Sequence, residues 1–154
     1  MRKSQWVILL FGCIPLFSCD PKTVFDNYSR IEKPGWDKDS LKTFSVTVTD
    51  TLFTHNIYLN LRNRIDYNYS NIWLFIGVES PDGVSLKDTV QFSLADPSGR
   101  WTGKGFAGMK DNRFLYRNNV YFPHAGIYRF TVQHGMRQEL LTGISDVGFR
   151  IEKK

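Results

Sequence analysis

The chain has 154 residues, a formal net charge of +5, 15% aromatic residues and two cysteines. A positive balance this mild, with no basic run interleaved with aromatics, excludes a nucleic-acid-binding module. Two cysteines exclude a disulfide-stapled miniprotein, so a chain of this length has to hold together through its own hydrophobic core.

Met1-Arg2-Lys3 precedes an apolar run over residues 6–11, Trp-Val-Ile-Leu-Leu-Phe. A positive start and a short apolar stretch have the layout of a secretory signal. The stretch is shorter than the roughly 20 apolar residues that a membrane-spanning helix takes. It ends in Leu16-Phe17-Ser18-Cys19, a branched apolar residue, a spacer, a small residue and a cysteine, which resembles a lipobox. The resemblance implies cleavage after Ser18, acyl chains on Cys19 and attachment to a membrane. Residues 1–18 then read as a lipoprotein signal peptide and 19–23 as the lipidated cysteine with a short tether. Residues 24–154 read as a single domain. Cys13 leaves with the signal, so Cys19 is the only cysteine of the mature chain and its role is attachment.

Residues 24–32 read as an early strand or a single helical turn, because Phe25, Tyr28 and Ile31 are spaced three apart. Lys33-Pro34-Gly35 breaks that segment, and Trp36 is placed over a sheet edge. From Thr43 the period-2 signal is clear. Phe44, Val46 and Val48 alternate with Ser45, Thr47 and Thr49, and Ile57, Leu59 and Leu61 with Tyr58, Asn60 and Arg62. Ile72, Leu74, Ile76 and Val78 alternate with Trp73, Phe75, Gly77 and Glu79; this run is apolar on both faces and reads as a central strand. Ser80-Pro81-Asp82-Gly83 and Asp96-Pro97-Ser98-Gly99 are turns with Pro and Gly where turns favour them. Between them Val90, Phe92 and Leu94 alternate with polar residues. Gly103-Lys104-Gly105 suggests a bulge or a close backbone approach. A strand over residues 114–122 is broken by Asn118-Asn119. Tyr128, Phe130 and Val132 form another strand, and Val147, Phe149 and Ile151 the last. Residues 136–141 are the most plausible helical piece, with Met136 and Leu140 four apart. Strands at regular spacing with turns between them predict an all-β fold: an antiparallel two-sheet β-sandwich, immunoglobulin-like or jelly-roll-like, with at most one short helix. A barrel is the alternative. Tyr128, after Gly126-Ile127, resembles the tyrosine that ties a corner in immunoglobulin-like sandwiches.

No catalytic constellation is legible. The histidines His55, His124 and His134 lack metal-ligand spacing, no serine lies in a nucleophile elbow, and Gly103-Lys104-Gly105 lacks the rest of a phosphate loop. Asp82, Asp88, Asp96 and Asp111 fall in or beside turns, where carboxylates usually cap their own backbone. No metal, cofactor or catalytic residue is assigned. Binding is the remaining class of function. Trp101, Trp73, Tyr58, Phe75 and Tyr116 are the candidate partner or ligand surface, as a protein hot spot or a sugar platform. Trp73 is the best core candidate among them and Trp101 the best exposed one.

Taken in order, several segments together resemble one family. They are the lipobox at Cys19, Trp73-Leu74-Phe75-Ile76, the turn from Leu94 through Asp96-Pro97-Ser98-Gly99-Arg100-Trp101 to Gly103, and Pro123-His124-Ala125-Gly126-Ile127-Tyr128. Gln133, Met136-Arg137, Leu140-Leu141-Thr142-Gly143-Ile144 and residues 146–153 continue the match. The chain resembles the GldH family of gliding-motility lipoproteins of the Bacteroidetes. The resemblance implies a non-enzymatic accessory or scaffold component of the gliding apparatus and its linked secretion system. It would be anchored in the outer membrane, on the periplasmic face rather than the cell surface, and would contact envelope protein partners. It carries over no catalytic residue and no cofactor. A glycan- or ligand-binding envelope lipoprotein using surface aromatics is the alternative.

Overall fold

The computed structural model describes residues 21–154, so the calls on residues 1–18 and on Cys19 lie outside the described residues. Ten strands follow in order: β1 (Thr23–Arg30), β2 (Trp36–Asp37), β3 (Lys42–Val48), β4 (Thr54–Arg64), β5 (Asn71–Glu79), β6 (Ser85–Ser93), β7 (Met109–Tyr121), β8 (Gly126–His134), β9 (Leu140–Leu141) and β10 (Ile144–Lys153). Eight of them form two four-stranded antiparallel sheets, β1-β10-β4-β7 and β3-β8-β5-β6, and β2 pairs with β9. The molecule is an all-β sandwich with no helix among the described residues.

The period-2 pattern fixes which side chains meet between the sheets. Phe44, Val46, Val48, Ile57, Leu59, Leu61, Ile72, Leu74, Ile76, Phe130, Val132, Val147, Phe149 and Ile151 are all buried. Phe149 of β10 is the centre of this core: Phe44 and Phe130 of the facing sheet pack on it at centroid distances of 5.4 and 5.3 Å. Burying one such ring is worth about 1.5–3 kcal/mol. Phe92 and Phe114 stack at 4.6 Å where β6 and β7 face each other. Both predicted turns close with a backbone bond from the glycine, Gly83 to the Ser80 carbonyl and Gly99 to that of Asp96, each 2.9 Å. Their φ values of 87° and 82° explain why glycine occupies the fourth place. Tyr128 ties its corner as expected, its hydroxyl donating to the His124 carbonyl at 3.1 Å.

One open choice is resolved and three expectations are corrected. Most of residues 24–32 lies in β1, the strand of the two readings, with no helical turn. Phe25 packs inward on Phe44, while Tyr28, three places on, lies on the opposite face and hydrogen-bonds Asp111; a spacing of three in a strand changes face. Residues 136–141 form no helix. A segment this short cannot offset helix nucleation, and Leu140–Leu141 instead pairs with Trp36–Asp37. Trp36 does not lie over an edge but is fully buried, its ring against His134 at 5.5 Å and its Nε1 donating to the Ser40 carbonyl at 2.8 Å. Finally, β7 runs unbroken through Asn118-Asn119. The break appears as register shifts against Ile57 of β4 and as a positive φ of 53° at Asn119.

Candidate interaction surface

β5 sits between β8 and β6, a central strand as its sequence implies. Its even-numbered residues Ile72, Leu74 and Ile76 are buried, so Trp73 and Phe75 have to point to the outer face, where they are 40% and 47% exposed. The expectation for Trp73 as core is therefore reversed, because the alternation of one strand allots only one of its two apolar faces to the interior. Trp73 is fixed through its backbone, its N–H reaching the Met136 sulfur at 3.3 Å and its carbonyl accepting from Gly135 at 2.7 Å. The Phe75 ring lies against Gly135, where an added Cβ would stand 3.1 Å from it.

Beyond Phe75 the outer face drops into a groove of about 520 Å³, lined by Leu41, Phe75, Gly77, Lys87, Thr89, Thr131 and Gln133 among others. Gly77, the outward position of β5 without a side chain, is part of the lining, and Thr131 Oγ1 takes the place beside it, 2.4 Å from where a Cβ would stand. The groove is thus apolar at Leu41 and Phe75 and carries hydroxyl, amide and ammonium groups around them. Leu41, Lys87, Thr89, Thr131 and Gln133 are lining residues that sequence reasoning missed. The available signal was Gly77, a gap at period-2 spacing after two outward rings.

The other three candidates do not join this surface. Trp101, expected to be exposed, is half-buried: it bridges to Ala95 and packs toward Tyr67 with ring centroids 6.5 Å apart. The turn that carries it is fastened by Asp96, whose carboxylate accepts from Ser98 and Arg100, bonds that hold its pKa below the usual carboxylate range. Tyr116 is half-buried near the β6–β7 gap. Its hydroxyl donates to Asp88 at 2.5 Å and Arg117 pairs with the same carboxylate at 2.5 Å. Burial, followed by that carboxylate, pushes the Tyr116 pKa up to about 12.

Tyr58 lies on the outer face of the other sheet, between Arg150 and Leu115 in register. That face is a polar network. Arg150 pairs with Asp26 at 2.6 Å and Glu152 at 2.5 Å. Asn60, fully buried beneath them, donates to Asp26 at 3.2 Å and accepts from Arg113 at 3.3 Å. Tyr28 crosses Gly148 to donate to Asp111 at 3.2 Å, with the Arg62 guanidinium 4.1 Å over its ring. Burial, then the Asp111 charge, moves the Tyr28 pKa up to about 12.

Nothing on either face has the geometry of a reaction centre. Among the described residues no three His, Cys, Asp or Glu side chains come together to hold a metal ion. His55 and His134 are buried singly, against the rings of Phe122 and Trp36, and burial lowers the pKa of both. His124 is exposed, 3.4 Å from Asp82 in the adjoining turn. No described helix is long and apolar enough to cross a membrane.

Comparison with known proteins gives the following. The "Gliding motility lipoprotein GldH homolog" of Christiangramia forsetii is 38% identical over 161 residues, covering 99% of this chain and 98% of that one. The "Gliding motility lipoprotein GldH" of Flavobacterium johnsoniae is also 38% identical over 161 residues, covering 100% and 99%. Among solved structures, the VP2 subviral particle of infectious bursal disease virus overlaps with a TM-score of 0.35 at 14% identity, covering 92% of this chain and 36% of the viral one. The Gx strain of that virus gives a TM-score of 0.38 at 13% identity, covering 84% and 30%. This chain spans about a third of those viral chains, and overlap at that level carries no argument. The family model described as GldH lipoprotein matches residues 23–151. The chain belongs to the GldH lipoprotein family.

Proposed function

We propose that this protein is a non-enzymatic, lipid-anchored accessory or scaffold component of the gliding-motility apparatus and its linked secretion system. Its relatives carry gliding motility in their names and align over essentially the whole chain. On this reading Ser18-Cys19 is the processing site, acyl chains on Cys19 hold the protein in the outer membrane on its periplasmic face, and residues 24–154 are the working domain. The domain binds an envelope protein partner, and the observation that carries this is the unpartnered pair of rings Trp73 and Phe75 beside the groove at Gly77. Half-exposed aromatics held on a rigid central strand lose little side-chain entropy on docking, which suits a hot spot.

The finer architecture follows the same reading. Leaving out the β2–β9 pair, the eight sandwich strands run first-eighth-third-sixth in one sheet and second-seventh-fourth-fifth in the other. That order supports a jelly roll over an immunoglobulin-like sandwich.

Crosslinking and pull-down of the chain from its native membranes tests the function. Recovery of an envelope protein, reduced by Trp73→Ala with Phe75→Ala, is the expected result. Recovery of no envelope protein above background overturns the scaffold reading. Protease treatment of intact cells should leave the protein whole, and its loss would move it to the cell surface. A second reading is favoured by the polar fringe of the same groove: Lys87, Thr89, Thr131 and Gln133 beside a ring are also the makings of a sugar platform. A glycan that binds the chain and is released by Phe75→Ala, with no protein captured, would select it.

A further inference from the structure

The two ends of the sandwich differ in what they are tied to. The N-terminal segment emerges at the end where the Lys153 N–H donates to the Lys22 carbonyl at 2.8 Å. Only Asp20 and Pro21 lie between Cys19 and Lys22. That length of chain spans about 11 Å when fully extended. A membrane that held Cys19 would therefore lie within about 11 Å of this end of the domain.

Three loops share that end and are linked to one another. The loop of residues 49–53 is fastened by Lys153, whose ammonium pairs with Asp50 at 2.6 Å and stands 3.5 Å over the Phe53 ring. Thr54 pairs with Tyr121, which starts the turn between β7 and β8. That turn meets the β5–β6 turn through His124 and Asp82. From these loops Leu52, Phe53, Val84 and Tyr121 project 85%, 45%, 60% and 57% exposed. The polar groups around them are paired, Lys153 with Asp50, Lys154 with Asn119 and His124 with Asp82. The rim thus presents apolar tips among paired polar groups. Between β6 and β7 the same end opens into an apolar cleft of about 250 Å³, lined in part by Val78, Val84, Leu86, Val120, Phe122 and Tyr128.

We propose that this end is a membrane-seated surface, with Leu52, Phe53, Val84 and Tyr121 inserted at the boundary between lipid headgroups and acyl chains. Apolar and aromatic tips with lysines beside them are what that boundary accepts. The seating turns a single point of attachment into a fixed posture. It holds the β-strands at a steep angle to the bilayer and carries Trp73, near the opposite end of β5, away from the lipid. The inference rests on acylation of Cys19, and the experiment keeps the two apart.

The full chain, with its own signal segment, is recovered from membranes and its mature mass measured. It is then placed in vesicles of phosphatidylethanolamine and phosphatidylglycerol. Because Cys19 would be blocked by acylation, nitroxide labels go singly on Leu52→Cys, Val84→Cys and, at the far end, Phe106→Cys, all at exposed positions. Near-ultraviolet circular dichroism checks that each variant is folded. Labels at 52 and 84 should collide more with oxygen dissolved in lipid than with an aqueous nickel complex, and the label at 106 the reverse. An acylated chain whose labels at 52 and 84 are as open to nickel as that at 106 overturns the seated surface and leaves the anchor standing. Labels at 52 and 84 shielded from both reagents would also overturn it, in favour of contact with a second copy. A mature chain without acyl groups on Cys19 overturns the anchor and the seating together.

Discussion

On the outer face of β1-β10-β4-β7 the long polar side chains are committed to one another: Arg150 to Asp26 and Glu152, Asn60 to Asp26 and Arg113, Tyr28 and Arg62 to Asp111. On the outer face of β3-β8-β5-β6 the prominent groups are two rings beside a groove lined in part by Gly77. Both faces come from strands with the same period-2 rule, so the rule alone does not distinguish them. The difference lies in the cost of covering each face. A partner on the first would have to desolvate paired ions whose hydrogen bonds are already made, and such burial returns little. A partner on the second removes apolar ring surface from water, which is favourable at roughly 25 cal/mol per Å². The polar face fixes its sheet, and the aromatic face leaves ring surface open to solvent.

Four measurements break or sharpen this contrast. The largest effect is expected where the two faces share support. Phe149→Ala removes the ring on which Phe44 and Phe130 converge and should cost about 3–5 kcal/mol in urea unfolding. Under 1 kcal/mol would mean that the sheets do not depend on that contact. Trp73→Ala should separate binding from stability. Partner affinity should fall by about 2 kcal/mol or more, near thirtyfold, while the unfolding free energy from urea titration changes by less than about 1 kcal/mol, because the ring is already part exposed. Loss of both together would make Trp73 a structural residue. On the polar face the pattern should invert. Asn60→Ala leaves the Asp26 and Arg113 groups short of a buried partner and should cost about 1–3 kcal/mol of stability, with capture of the partner unchanged. Weaker capture would place the partner on the wrong sheet.

The smallest effect is with pH. Burial holds His55 and His134 below the ordinary histidine range. The unfolded chain therefore takes up protons at about pH 6.5 that the folded chain refuses. Their contribution is complete above that pH and is lost as pH falls through it. Asp88, held low by its bonds to Tyr116 and Arg117, titrates later, with stability lost only as pH falls below the ordinary carboxylate range. The urea midpoint should drop between pH 7.5 and 5.5, and a His134→Phe chain should drop less. Equal slopes in the two chains would show that His134 takes no part.

Much of the sandwich was legible because alternation and turns are local. Phe44 to Val48, Ile57 to Leu61 and Tyr128 to Val132 each declare one inward face. The turns at Gly83 and Gly99 are set by residues within four places. The failures share a different cause. Residues 136–141 and Trp36 depend on each other across about a hundred residues through the β2–β9 pair, and no local pattern records that pairing. Tyr28 reads as part of a helical spacing until Asp111, far along the chain, gives it a partner on the outer face. Trp101 looks exposed beside Arg100 and the glycines until Tyr67 is brought up to it.

By itself the sequence determined the family, the all-β class, the inward residues of β3, β4 and β8, and Cys19 as the expected point of attachment. These rest on period, turn chemistry and motif order, which act over a few residues at a time. Only the tertiary structure decided that Trp73 and Phe75 face outward beside a groove, that Tyr58 lies on the polar face of the other sheet and that Trp101 is half-buried. An apolar strand has two faces, and which one is buried depends on where the opposing sheet lies.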